Sequence, residues 1–370
     1  MTLADQLLDL AIQIQQVAAP TFAEGPRGEF VRGLFIHERL KDVSMDSLGN
    51  FYARLPGKQK RAKPLIVSAH LDTVFPAGTN LQVRKEAGKA FGPGLGDNSI
   101  GVAALFGILW TMRERGVELQ HDVWFVANVG EEGAGNLRGI RGVAERFGSD
   151  VIGYLVLEGL GYGSVYHRAI GVKRYRIQAR TRGGHSWSDY GQPSAVHELA
   201  ALITELTSIR LPRQPRTTMN VGTIHGGIGV NVLAAEAKCE LDLRSEDPQT
   251  LAKLVRQVEE VLINWNRSGV KIQAEVIGER PAGEIPATHE MVKLGMRCLR
   301  EVGTEPQLIS GSTDANIPMS MGIPAIKIGS GGYGGRAHSL EEWIDVEPDA
   351  SLRGMAAGLA TVLALAGVAE

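Results

Sequence analysis

The chain has 370 residues, 44% of them apolar and 22% charged, with a formal net charge of −2. That is long enough for two domains and ordinary for a globular protein, and the absence of a basic surplus argues against a nucleic-acid surface. Two cysteines, Cys239 and Cys298, share no short motif, which excludes a disulfide-built scaffold and points to a reducing compartment.

No basic n-region with a following apolar core opens the sequence, so a signal peptide is not expected and a cytoplasmic location is. Apolar residues recur at helical spacing from Leu3 to Val17, behind a Thr2 cap and ahead of Pro20. Nearly continuous apolar runs at Leu65–Ala69, Val123–Val129 and Ile152–Leu157 are expected strands, with a helix over Ile100–Arg115. Such strands alternating with helices describe an α/β sheet covered on both faces. The pattern then changes. Val172–Arg180 (strand), Ala195–Ile209 (helix), Met219–Ile224 and Ala237–Leu243 (strands), Leu251–Trp265 (helix) and Val270–Ile277 (strand) follow the β-α-β-β-α-β order of a ferredoxin-like unit. The earlier style resumes with Glu290–Val302 (helix), Pro324–Ile328 (strand) and Pro348–Leu365 (helix). The expected organisation is a discontinuous α/β/α domain, residues 1–170 and 281–370, interrupted by an α+β domain at 171–280. The most apolar stretches, Gly101–Trp110 and Met355–Ala369, fall short of the ~20 residues of a membrane span and read as buried helices.

Polar clusters fall at the ends of the strands, where open α/β sheets gather their sites. Ser68-Ala69-His70-Leu71-Asp72-Thr73 puts His70 and Asp72 two apart, so an extended backbone points them the same way. That suits a metal-bound imidazole steadied by a carboxylate. Gly92-Pro93-Gly94-Leu95-Gly96-Asp97-Asn98-Ser99 opens a helix but lacks the endings of phosphate-binding loops, and reads as a glycine-rich loop presenting Asp97. Gly130-Glu131-Glu132-Gly133 places two acids in different directions at a strand end. Glu158 directly follows another apolar strand, and His338 follows a glycine-rich loop. Each cluster alone has a bland reading as a polar turn or solvated acidic corner. Together they offer two imidazoles and three carboxylates, with a further Glu beside one ligand. Two divalent ions carry +4, the carboxylates −3, and one hydroxide brings the set near neutrality. Mixed nitrogen and oxygen ligands suit zinc, with manganese or cobalt tolerated.

Ser68–Thr73, Gly96-Asp97-Asn98, Gly130-Glu131-Glu132-Gly133, Glu158, Gly311-Ser312-Thr313-Asp314-Ala315 and His338-Ser339 resemble, in order and over nearly the whole chain, the pattern of a cocatalytic dizinc family. That family holds glutamate carboxypeptidase, aminoacylase, succinyl-diaminopimelate desuccinylase, acetylornithine deacetylase and peptidase T. The resemblance implies a zinc-exopeptidase-like α/β/α catalytic domain with an inserted ferredoxin-like lid and dimerisation domain. It implies that His70 and Glu158 hold one metal, Glu132 and His338 the other, and that Asp97 bridges them across a cis Asp97–Asn98 peptide. Glu131 would be the general base and Asp72 would orient His70. His185, in Thr181-Arg182-Gly183-Gly184-His185-Ser186, matches a lid histidine that reaches the active site of the partner subunit. Asn231 and Arg280 match substrate-carboxylate anchors, and Arg244 is a further candidate, a guanidinium being the natural clamp for a carboxylate. Two departures touch specificity: Leu233 stands where relatives usually carry Pro, and the loop Tyr333–Ala337 is long and basic.

The implied function is hydrolysis of an amide or peptide bond adjacent to a carboxylate, on an N-acyl amino acid or short peptide, by a homodimer without nucleic-acid or membrane partners. A Glu at position 158 goes in this family with acylases and carboxypeptidases. The motif Gly311–Ile317 is similar to peptidase T and keeps an aminopeptidase as the alternative. An inactive binding or scaffold relative would be marked by loss of Glu131 or of ligands, all of which are present. No Gly-x-Ser-x-Gly occurs, which disfavours a serine hydrolase.

Overall fold

A computed structural model describes residues 2–347 and 350–369. Two compact units divide the chain: one runs to Ala169 and resumes at Glu284, the other is Ile170–Gly283.

The first unit is a mixed sheet covered by helices. Its strands are β1 (Lys41–Met45), β2 (Phe51–Leu55), β3 (Leu65–His70), β4 (Val123–Asn128), β5 (Gly153–Glu158), β6 (Ser164–Ala169), and, after the second unit, strands at Gln307–Gly311 and Ala325–Gly329. The spatial order is β1-β2-β4-β3-β5, then Ala325–Gly329, then β6. β3 runs parallel to both β4 and β5, and Ala325–Gly329 runs parallel to β5. All six residues of β3 are buried, which is why the strand reads as an unbroken apolar run. Helix α1 (Leu3–Gln16) starts on a capping box between Thr2 and Asp5. Helix α2 (Gly25–His37) was not flagged by periodicity, because Gly25, Pro26, Gly28 and Gly33 interrupt it. Helix α3 (Ile100–Glu114) continues from a turn at Leu95–Ser99, so the helical run is 20 residues, long and apolar enough by composition to cross a membrane. In the structure 89% of the most apolar 18 residues of that run is buried, and it packs as a core helix. The C-terminal helix is described over Ala350–Ala366; its expected start at Pro348 lies outside the described residues.

The second unit has the order expected of a ferredoxin-like fold. Strands Gly171–Arg180, Thr217–Gly226, Glu236–Ser245 and Lys271–Arg280 alternate with helices Ala195–Ser208 and Pro248–Asn264. Thr217–Gly226 and Lys271–Arg280 are the edges of an antiparallel sheet, with Glu236–Ser245 and Gly171–Arg180 inside. The helices bury Leu199, Leu202, Leu206, Leu254 and Val258 against Tyr175, Ile177, Cys239 and Leu241 in this unit's own core. The fold is thus the α/β catalytic architecture with a ferredoxin-like α+β insertion.

Candidate metal centre

The site grows from the carboxyl end of β3. His70, at 1% exposure, donates from Nδ1 to the carbonyl oxygen of Asp72 at 3.1 Å, which turns Nε2 towards Asp97 Oδ1 at 3.1 Å. The Asp72 carboxylate lies 3.6 Å from His70 Nδ1, and its shorter contacts go elsewhere. Oδ1 accepts from the Glu131 backbone N–H at 2.9 Å, and Oδ2 from the Glu132 N–H and the Thr21 hydroxyl, each at 2.9 Å. Asp72 therefore anchors the Glu131-Glu132 turn that follows β4 as well as facing the imidazole. Burial alone would raise its pKa, but His70 and the two backbone donors hold it below the usual carboxylate value.

Asp97 is held by a residue far along the chain. The buried Glu342 accepts the N–H groups of Gly94 (3.1 Å), Gly96 (2.6 Å) and Asp97 (2.8 Å). Burial raises the Glu342 carboxyl to about 7 despite these donors. The Asp97–Asn98 peptide is cis, as the resemblance implied. Asn98 then ties this loop to β5: its Nδ2 donates to the Leu157 carbonyl at 3.0 Å, and its Oδ1 accepts from the Gly159 N–H at 2.8 Å. A side chain at Gly101 would place Cβ 1.9 Å from Asn98 Oδ1, so only glycine fits there.

So placed, Asp97 divides its carboxylate between two imidazoles. Oδ1 faces His70 Nε2, and Oδ2 faces His338 Nε2 at 3.2 Å; His338 Nε2 also lies 3.0 Å from Glu132 Oε1. His338 sits in the left-handed backbone region at φ 64°, a conformation that costs a non-glycine residue about 1–3 kcal/mol and collects at functional sites. Asp97 and Glu132 raise its imidazole pKa to about 10. Asp97 is pushed up by burial, yet His338 and His70 pull it below the carboxylate range. These shifts have one cause, the crowding of carboxylates around two imidazoles.

The donors fit a divalent ion at one position directly. Asp97, Glu132 and His338 each offer a ligand atom, all within 4.8 Å of one another, as do His70, Glu131 and Glu132; bonds to zinc are ~2.0–2.2 Å for such donors. His70 Nε2 and Asp97 Oδ1 face each other at 3.1 Å. Glu158 ends β5 and joins neither of these ligand groups; its Oε2 lies 2.8 Å from the ammonium of the buried Lys327.

A comparison of sequences matches the model of peptidase family M20/M25/M40 to residues 66–364, a span that contains all of these side chains. The chain belongs to this family. M20 proteins are metal-dependent hydrolases. A peptidase M20 domain-containing protein of Schizosaccharomyces pombe is 33% identical over 232 residues, 60% of this chain and 54% of that protein. An acetylornithine deacetylase of Erwinia tasmaniensis is 28% identical over 182 residues, 46% of each chain. The matched segment thus spans about half the length of these two relatives. A crystal structure of a tripeptidase from Staphylococcus aureus superposes with a TM-score of 0.84 at 22% identity, covering 98% of both chains, which establishes the shared M20 fold.

The remaining residues expected from sequence lie in the second unit. His185 and Asn231 are brought together, because the short strands Gly184–His185 and Val232–Leu233 pair and the Ser186 N–H donates to the Asn231 carbonyl at 3.0 Å. His185 Nδ1 accepts from the Trp187 and Ser188 N–H groups at 3.2 and 3.4 Å, which leaves the proton on Nε2. Arg280 is buried at the end of its strand. Arg244 pairs with Asp242 at 2.7 Å, an acid that also holds Arg174 at 2.8 Å. Sequence reasoning gave no role to Asp314, Glu342 or Lys327. Asp314 is fully buried, its Oδ2 accepts from Asn128 Nδ2 at 2.7 Å, and burial raises its carboxyl to about 7. A lysine inside the apolar run Pro324–Ile328 was a readable signal. Glu342 had none, since its partners are backbone groups about 245 residues away.

Proposed function

We propose that this M20 chain hydrolyses an amide or peptide bond next to a carboxylate, as an N-acyl-amino-acid amidohydrolase or a carboxypeptidase does. The observation that carries this reading is the division of the Asp97 carboxylate between His70 and His338, with Glu132 on His338 and Glu131 beside it. His70 and Glu158 would hold one ion, Glu132 and His338 the other, and Asp97 both, with zinc the first choice and cobalt or manganese tolerated. When bound, such ions polarise a carbonyl and lower the pKa of water to roughly 7.

The chain's own groups supply the rest. Glu131 takes the proton of the attacking water and returns it to the departing amine. Its backbone N–H is fixed by Asp72, so its position does not depend on substrate. His185 offers an Nε2–H that donates to the oxyanion of the tetrahedral intermediate. Asn231, Arg280 and Arg244 are proposed to anchor the substrate carboxylate. The second unit serves as lid and dimerisation domain: its sheet has edges at Thr217–Gly226 and Lys271–Arg280, and an open edge invites pairing with a second copy.

A second reading, an aminopeptidase of the peptidase T type, is favoured by the Gly311–Ile317 motif and by the full-length fold likeness to the tripeptidase. A panel of N-acyl amino acids and dipeptides, assayed after adding zinc, cobalt or manganese to chelated enzyme, separates them. Turnover of N-acylated substrates with a free carboxylate supports the main reading. Turnover confined to substrates with a free α-amine selects the aminopeptidase. Undiminished activity in the chelated enzyme overturns both.

A further inference from the structure

Lys327 lies in the middle of the strand Ala325–Gly329, opposite Val156 on one side and Tyr166 on the other. Its neighbours Ile326 and Ile328 point into the main core, so by alternation Lys327 points to the other face. It is 2% exposed. Its Nζ lies 2.8 Å from Glu158 Oε2, donates to the Leu160 carbonyl at 3.2 Å and sits 4.0 Å from the centroid of the Tyr166 ring. A buried ammonium is costly unless paired, and an apolar residue would satisfy the strand. The residue it pairs with is the carboxylate that the two-metal reading gives to the His70 position alone.

We propose that Lys327 makes the two metal positions unequal: it neutralises Glu158, so the ion at His70 and Glu158 is held weakly and exchanges, while the ion at Glu132 and His338 is resident. The inference rests on the two-metal reading above. Around His338 stand Asp97 and Glu132, and among the described residues no cationic side chain pairs with Glu132 beyond the imidazole itself. His70 faces Asp97, and the charge of Glu158, which the two-metal reading gives to the same ion, is offset by Lys327. Glu131 groups with both His70 and Glu132, so it does not restore the difference. A unit charge a few ångströms from a dication changes binding well beyond tenfold even at an effective dielectric of ~20.

The test is zinc titration of the chelated full-length protein by calorimetry, repeated with cobalt and read by its visible absorption, in wild type, Lys327→Met, Lys327→Gln and Lys327→Arg. Circular dichroism confirms folding, and Lys327→Gln, which keeps a donor for Leu160, serves if the methionine variant does not fold. Wild type is expected to take two ions, the second at least about tenfold more weakly than the first. The neutral variant tightens the second step by about tenfold or more and moves the first by less than about threefold, while Lys327→Arg keeps the wild-type spacing. Two equal steps in wild type, an unchanged gap in the neutral variant, or the same shift with arginine overturns the inference and leaves the two-metal reading standing. A folded wild type that takes up no zinc overturns that reading and the inference with it.

Discussion

Two groups of candidate residues, one in each unit, are presented in opposite ways. In the first, His70, Asp72, Glu131 and Glu132 are nearly sealed, with exposures of 1%, 0%, 5% and 6%, and Asp72 alone gathers two backbone N–H groups and a hydroxyl. In the second, His185 and Asn231 stand exposed on a short hairpin, beside Trp187 at 86%, Tyr190 at 89%, Ile228 at 91% and Val230 at 102% exposure. The first set is held by packing and buried hydrogen bonds and the second by its hairpin alone, while the half-exposed His338 and the buried Arg280 depart from that division. Substitutions in the sealed set should therefore disturb either the reaction or the fold according to which bond is lost. Substitutions in the exposed set should leave the fold untouched.

The sharpest break of this comparison is Glu131→Gln. It keeps size and the Asp72 anchor, which uses the backbone, so zinc content should stay at the wild-type value while turnover falls by ~10²–10⁴ or more. Activity within about tenfold of wild type would assign the base to another residue. Next in size is His185→Ala. Loss of one oxyanion donor lowers kcat by ~10²–10³, with melting temperature and metal content unchanged because the side chain is exposed. If the histidine serves the partner's site, mixing this variant with Glu131→Gln should restore activity, since one site of each heterodimer has both residues. Confirmed subunit exchange with no recovery would remove the cross-subunit role.

The smallest effect expected is one of stability. Asp314 has its carboxyl raised by burial from 3.8 to about 7. Below pH 3.8 it is neutral in both states. As pH rises towards 7 the unfolded chain ionises while the folded one still holds the proton, so folding is progressively disfavoured, and the full penalty stands above pH 7. Asp314→Asn removes the titration. In chelated protein its melting temperature, relative to wild type, should improve by roughly 2–4 °C or more between pH 4.5 and pH 8. An equal difference at both pH values would show that Asp314 does not titrate in this window.

The sealed unit was also the more legible one. His70, Asp72, Asp97, Glu131, Glu132 and Glu158 could be singled out because a polar cluster at the end of an apolar strand is conspicuous, and the alternation of strands and helices marked both the α/β sheet and its interruption. What could not be read was set by long-range packing. Helix α2 hides behind its glycines, one of which, Gly28, is required because a Cβ there would lie 2.0 Å from the Phe51 ring. The bond between Asp72 and the Glu131-Glu132 turn joins residues about 60 apart in sequence through backbone donors. Lys327 was visible as a letter, but its pairing with Glu158 depends on two strands being neighbours in the sheet.

The grip of Glu342 on the loop that carries Asp97 also orders events during synthesis. His338 and Glu342 are translated about 240 residues after the loop they complete. Until the ribosome has passed them, the nascent chain displays its acids and one imidazole without the second imidazole and without the carboxylate that holds the Gly94–Asp97 backbone. If His338 holds an ion as proposed, capture there waits until residues 338–342 have been made and have closed on the Gly94–Asp97 loop.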